Sequence, residues 1–165
     1  MTRLIIVGGF LGAGKTTLLL QAARHLTRAN YRVGLITNDQ GEGLVDTALA
    51  KHHDVAVLRP LVHFRRDVQL APLTILQDAT RDTKNFSPHV DYLFQQQLAE
   101  AQIIALNKAD LLSSEELEHS LHSIKVQHPR AKPFPLSAYT GEGVETWLDY
   151  VLGEVSVEAQ SLEID

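Results

Sequence analysis

Three short segments of this 165-residue chain combine residue types and spacings that define a chemistry. In Gly9-Phe10-Leu11-Gly12-Ala13-Gly14-Lys15-Thr16, glycines let the backbone curl until successive N–H groups point inward at an anion. The helix that opens at Gly14 adds its positive end. Leu4-Ile5-Ile6-Val7 precedes the loop and Thr17-Leu18-Leu19-Leu20 follows it, the strand-before and helix-after setting such a loop requires. Gly12, Ala13, Gly14, Lys15, Thr16 and Thr17 are the expected phosphate cradle. Lys15 should reach the β- and γ-phosphates and the Thr16 hydroxyl should ligate Mg²⁺, so these two carry the catalytic assignment.

The second segment is Asn107-Lys108-Ala109-Asp110, which follows the apolar run Ile103-Ile104-Ala105-Leu106. A carboxylate at Asp110 can accept from the guanine N1–H and N2 amino group while the Lys108 stem lies over the base. Adenine offers no matching pair of donors, and a buried polar group left unpaired discriminates by about 10⁴ or more. In the third segment, small residues at Ser137 and Ala138 let backbone N–H groups approach the base carbonyl O6. GTP or GDP with Mg²⁺ is therefore the expected cofactor set.

These segments need elements that hold them. The spacing of apolar residues predicts a buried strand over 3–8, a helix over 14–29 ending near Asn30, and a second strand over 32–37. A short strand over 54–58 and strands at 73–78, 103–106 and 132–136 follow. Helices are expected over 88–100, opened by Ser87-Pro88, over 115–127, capped by Ser113 or Ser114, and over 143–152, with Trp147 inward. Residues 59–70 read as a basic, irregular connection. Strands alternating with helices predict an α/β, doubly wound, mainly parallel sheet, with one domain over 1–152 and an acidic tail over 153–165.

Asp39, in the turn Asn38-Asp39-Gln40-Gly41, could hold Mg²⁺ directly or through water, or cap a helix near 43–51. Gln40 could orient a water or simply be exposed. Asp78 ends a strand and by pattern could serve Mg²⁺, the weaker of its two readings. His52-His53 and the His119/His122 pair read as solvated faces rather than metal ligands.

A net charge of −5 argues against a nucleic-acid partner held by broad electrostatics. The chain has no cysteine, which excludes thiolate metal sites and disulfides, and no apolar stretch suits a membrane span. A cytoplasmic protein is expected.

The phosphate loop with Phe10-Leu11 inside it, the run Leu35-Ile36-Thr37-Asn38-Asp39-Gln40-Gly41 with Leu44-Val45-Asp46, and Asn107-Lys108-Ala109-Asp110 together resemble the CobW-like branch of the CobW/HypB/UreG family of P-loop GTPases. The resemblance covers about 1–51 and 58–152. It implies a P-loop NTPase fold and a GTPase whose nucleotide state drives metal or cofactor delivery, as in cobalamin biosynthesis, to a client metalloprotein. A homodimer is an open alternative, as is a guanine-nucleotide-binding scaffold with little or no hydrolysis. By resemblance Asp78 lies on the strand after the Walker B strand. The family's C-x-C-C motif and Walker B carboxylate are not in this sequence, so zinc, cobalt or nickel binding attaches to no residue here. A parallel sheet without that strand should expose the edges of its neighbours.

Overall fold

The computed structural model describes residues 2–36, 56–57, 68–81 and 86–153. The expected turn at 38–41 with Asp39 and Gln40, the helix near 43–51, His52 and His53, the arginines of the basic connection and the acidic tail beyond 153 lie outside the described residues.

Strand β1 (Thr2–Leu4) and β2 (Val7–Gly9) stand where one strand is expected, and a bulge in their neighbour explains the division. β1 runs parallel to β5 (Val68–Leu70), in what the sequence suggests is an irregular connection, and β2 runs parallel to β6 (Thr74–Asp78). Between Leu4↔Leu70 and Val7↔Thr74 the register advances by one residue. Pro72 sits in this gap and has no N–H for the ladder, which is the usual place for a bulge. Backbone bonds continue across it, from Ala71 N–H to the Leu4 carbonyl at 2.9 Å and from Thr74 N–H to the Ile6 carbonyl at 3.2 Å. The Leu73 N–H donates instead to Gln102 Oε1 at 2.8 Å.

The main sheet is parallel, in the order β2-β6-β7-β8, with β7 at Ile103–Asn107 and β8 at Lys132–Leu136. β3 (Gly34–Leu35) and β4 (Ala56–Val57) form a separate parallel pair among the described residues. β7 is buried along its whole length. Its residues alternate between two cores: Ile103 and Ala105 face one, and Ile104 and Leu106 the other. The first core takes Leu18 and Ala22 from α1 (Lys15–Arg28) and Trp147, Leu148 and Val151 from α4 (Val144–Gly153). The second takes Phe94 and Leu98 from α2 (Pro88–Glu100) and Ile124 from α3 (Ser114–Gln127). Helices on both faces of a parallel sheet make the expected doubly wound α/β fold.

Helix boundaries follow local chemistry. α1 ends through Asn30, whose φ of 64° is left-handed, with the Tyr31 N–H bonded back to the Leu26 carbonyl at 2.9 Å, a Schellman closure. Ser87 caps α2 with proline in the first turn, and Ser113, not Ser114, caps α3 in a capping box with Glu116.

The two edges of the sheet differ. β8 carries Pro133 and Pro135, whose missing N–H groups blunt its outer side. β2 is only half-buried, pairs with β6 on one side, and has no second neighbour among the described residues. Ile6, beside it, is 42% exposed.

Trp147 is fully buried and its Nε1–H donates to Thr74 Oγ1 at 3.1 Å, joining α4 to the start of β6. Trp147→Phe keeps most of the ring volume but removes the donor facing that hydroxyl. Unfolding in urea, followed by far-UV circular dichroism, is expected to show a loss of about 1–3 kcal/mol.

Candidate functional site

The loop between β2 and α1 is shaped by positive backbone angles that only glycine adopts easily: φ is 79° at Gly12 and 94° at Gly14. At Gly14 the constraint is double, because a Cβ would also collide with the Asn107 side-chain amide. Ala13, 1% exposed, is set into the core under the loop. Lys15 and Thr16 open α1, and the Lys15 Nζ donates to the Phe10 carbonyl at 2.9 Å, bending over the loop it is expected to serve. Phe10 is turned away from the loop into an aromatic cluster with Phe86 and Phe94, at centroid distances of 5.8 and 5.3 Å. That packing holds the first half of the loop to α2, a role its position inside the motif does not suggest.

The expected base-recognition residues gather at the ends of β7 and β8, beside the loop. Asn107, 3% exposed, donates from Nδ2 to the Ala13 carbonyl at 2.7 Å and accepts at Oδ1 from the Ala138 N–H at 2.8 Å. One buried amide thus joins the phosphate loop to the third segment. Lys108 has a left-handed φ of 65° and leads into a short 3₁₀ turn, Ala109–Leu111, that leaves Asp110 exposed. Ser137 is buried; its N–H bonds the Glu142 carbonyl at 2.8 Å and its hydroxyl accepts from the Thr140 N–H at 3.1 Å. The Ser137 and Ala138 N–H groups, expected to face a base carbonyl, are engaged within the protein: Ala138 braces the phosphate loop through Asn107, and Ser137 closes its own turn on Glu142.

Asp78 is not presented to a metal. Its Oδ2 meets Lys108 Nζ at 2.6 Å, and its Oδ1 accepts from the Thr80 N–H at 3.0 Å and the Thr80 hydroxyl at 2.7 Å. Its side chain is 8% exposed against 36% for Lys108. Burial works to raise the Asp78 pKa, but the hydrogen bond from Lys108 and the two from Thr80, with the Lys108 charge, outweigh it and hold the carboxyl below its ordinary value. No pattern in the sequence marks this pairing, because the partners lie 30 residues apart.

Arg81, at the end of the same turn, donates from Nη2 to the Leu11 carbonyl at 2.7 Å. It is a contact to the loop that the sequence did not reveal. Lys15, Thr16, Asn107 and Ala138 are therefore assembled around one loop, while Lys108 is held by Asp78 and Asp110 is exposed. Thr16, the expected Mg²⁺ ligand, stands in the first turn of α1 beside Lys15. Among the described residues no group of three His, Asp or Glu is placed to hold a metal, and no helix is long and apolar enough to cross a membrane.

A parallel sheet, a glycine loop into α1, and a polar cluster beyond the carboxyl ends of β6, β7 and β8 define the P-loop NTPase fold. Residues 3–62 match the family model for the CobW/HypB/UreG nucleotide-binding domain, which bears out the resemblance read from the sequence. The fold is similar to the crystal structure of hydrogenase maturation factor HypB from Archaeoglobus fulgidus, with a TM-score of 0.65 and 16% identity over 93% of this chain and 89% of that one. It also resembles an LAO/AO transport system kinase, with a TM-score of 0.54 and 17% identity over 93% of this chain and 58% of that one. Among curated sequences the chain is 28% identical over 166 residues to GTPase Obg of Lachnoclostridium phytofermentans, covering 87% of this chain. It is 24% identical over 181 residues to GTPase Obg of Natranaerobius thermophilus, covering 90% of this chain. This chain spans 38% of the length of each of these relatives.

Because the folded Asp78 carboxyl titrates below its unfolded value of about 3.9, its contribution to stability is complete above that pH and is lost as pH falls through the folded value. Asp78→Asn removes the charge that pairs with Lys108. Thermal melts at pH 7 are expected to place the variant below the parent by about 1–3 kcal/mol, the scale of a hydrogen bond to a charged group. The gap should narrow as pH falls below about 4.

Proposed function

We propose that this domain, over residues 1–152, binds Mg²⁺-GTP and hydrolyses it slowly or with the help of a partner. The observation that carries the reading is the Asn107 amide, which accepts from Ala138 N–H while donating to the Ala13 carbonyl of the phosphate loop. It holds the glycine loop and the Ala138 segment in one fixed relation, a use that an ordinary glycine turn would not require. The Obg relatives, whose name is that of a GTPase, and the CobW/HypB/UreG match support the same choice of nucleotide.

Gly12, Ala13, Gly14, Lys15, Thr16 and Thr17 would hold the phosphates, with backbone N–H groups and the opening of α1 facing the charge. Lys15 would exchange the Phe10 carbonyl for β- and γ-phosphate oxygens and stabilise charge that develops as water attacks in line. Thr16 and, directly or through water, Asp39 would hold Mg²⁺, which when bound would supply positive charge against the phosphates. Lys108 would lie along the base, positioned by Asp78, and Asp110 would read the guanine edge.

Delivery of a metal or cofactor to a client metalloprotein is the role we infer beyond the nucleotide, in the cytoplasm and with a homodimer as a further option; the family likeness and the similarity to a hydrogenase maturation factor support the delivery role. The scaffold reading differs by one observable, since it predicts bound GTP without turnover. Fast turnover by the isolated chain would contradict partner dependence.

Competition binding is expected to favour GDP over ADP by at least about 100-fold, well within what a site built to pair with a base can reach. Lys15→Ala should abolish detectable binding and turnover. Asp110→Ala should bring the GDP/ADP ratio toward one with the fold intact. Equal affinity of the parent for GDP and ADP would remove the guanine assignment.

A further inference from the structure

Arg81 leaves the Asp78 turn and lies across the phosphate loop. Its Nη2 donates to the Leu11 carbonyl at 2.7 Å, and a Cβ placed on Gly12 would come within 3.2 Å of the same nitrogen. The adjacent carbonyl, that of Phe10, is held by Lys15 Nζ at 2.9 Å. Two cationic side chains therefore rest on consecutive carbonyls of one loop, and one of them is the lysine that serves the β- and γ-phosphates.

The position of Arg81 is built rather than accidental. Both Thr80 bonds to Asp78 Oδ1 tighten the turn, and the Arg81 N–H closes it on the Asp78 carbonyl at 3.2 Å. The side chain is half-buried, which leaves its torsions room to turn. A neutral carbonyl satisfies one of five guanidinium donors, whereas a phosphate offers a charged, bidentate match to the fork. An anion in the loop would thus draw Arg81 from Leu11, as it would draw Lys15 from Phe10.

We propose that Arg81 is a phosphate ligand supplied in cis, which exchanges the Leu11 carbonyl for the terminal phosphate of bound GTP and so distinguishes triphosphate from diphosphate. This rests on the nucleotide reading above and adds to it a residue outside both motifs. The competing role is a staple that merely keeps the loop in shape. A staple acts on every nucleotide alike, whereas a terminal-phosphate ligand acts on one.

Isothermal titration of the full chain with GDP and with the non-hydrolysable guanosine β,γ-imidotriphosphate separates the two. For Arg81→Ala, affinity for the imidotriphosphate is expected to fall about tenfold or more, the scale of one charge-assisted hydrogen bond, while affinity for GDP stays within about threefold. Arg81→Lys, which keeps the charge without the fork, should recover part of the loss, and it replaces the alanine variant if that one melts below the assay temperature. Equal loss for both nucleotides, or no loss for either, overturns the proposal while leaving GTP binding in place. Failure of the parent chain to bind either nucleotide overturns the GTP reading itself and this proposal with it.

Discussion

The buried amide of Asn107 is the contact on which the site depends. An amide carried at the end of a fully buried strand must satisfy its donor and its acceptor without water. Here the two partners are the Ala13 carbonyl and the Ala138 N–H, on opposite sides of it. The phosphate loop and the β8–α4 loop are therefore spaced by one side chain. Gly14 completes the arrangement, since any side chain at that position would occupy the space of the amide. Removal of the amide would leave two buried backbone groups unpaired, a cost larger than the net worth of either bond.

A second organising group is Asp78. Its two oxygens serve different parts of the site: Oδ2 holds Lys108, which we propose for base recognition, and Oδ1 fixes the turn from which Arg81 reaches the phosphate loop. One carboxylate thereby relates Lys108 to Arg81, the cation that lies on the phosphate loop. It can do so because burial removes competing water while hydrogen bonds keep it ionised.

Among the described residues the two edges of the sheet differ. Prolines close the outer side of β8, whereas β2, the strand that delivers the phosphate loop, has no second partner among the described residues. An unpaired parallel edge presents donors and acceptors to any strand that can reach them. The described helices cover the faces of the sheet.

Much of this was legible in the residues themselves. Glycine spacing with Lys15-Thr16, the Asn107–Asp110 segment and the continuous apolar runs each report a local property: a backbone angle, a charge at a fixed offset, burial on two faces. Local properties determine the doubly wound fold, the cap at Ser87, a cap at Ser113 or Ser114 that the structure settles on Ser113, and the two nucleotide motifs. The tertiary structure alone decided what meets across the chain: Asp78 with Lys108, Arg81 with Leu11, Phe10 with Phe86 and Phe94, and Trp147 with Thr74. It also placed Val68–Leu70 as a strand beside β1, since pairing with a distant partner leaves no periodic trace in three residues next to a proline. Contacts of this kind depend on how strands are ordered and how far one bulge shifts a register, and no stretch of sequence carries that information by itself.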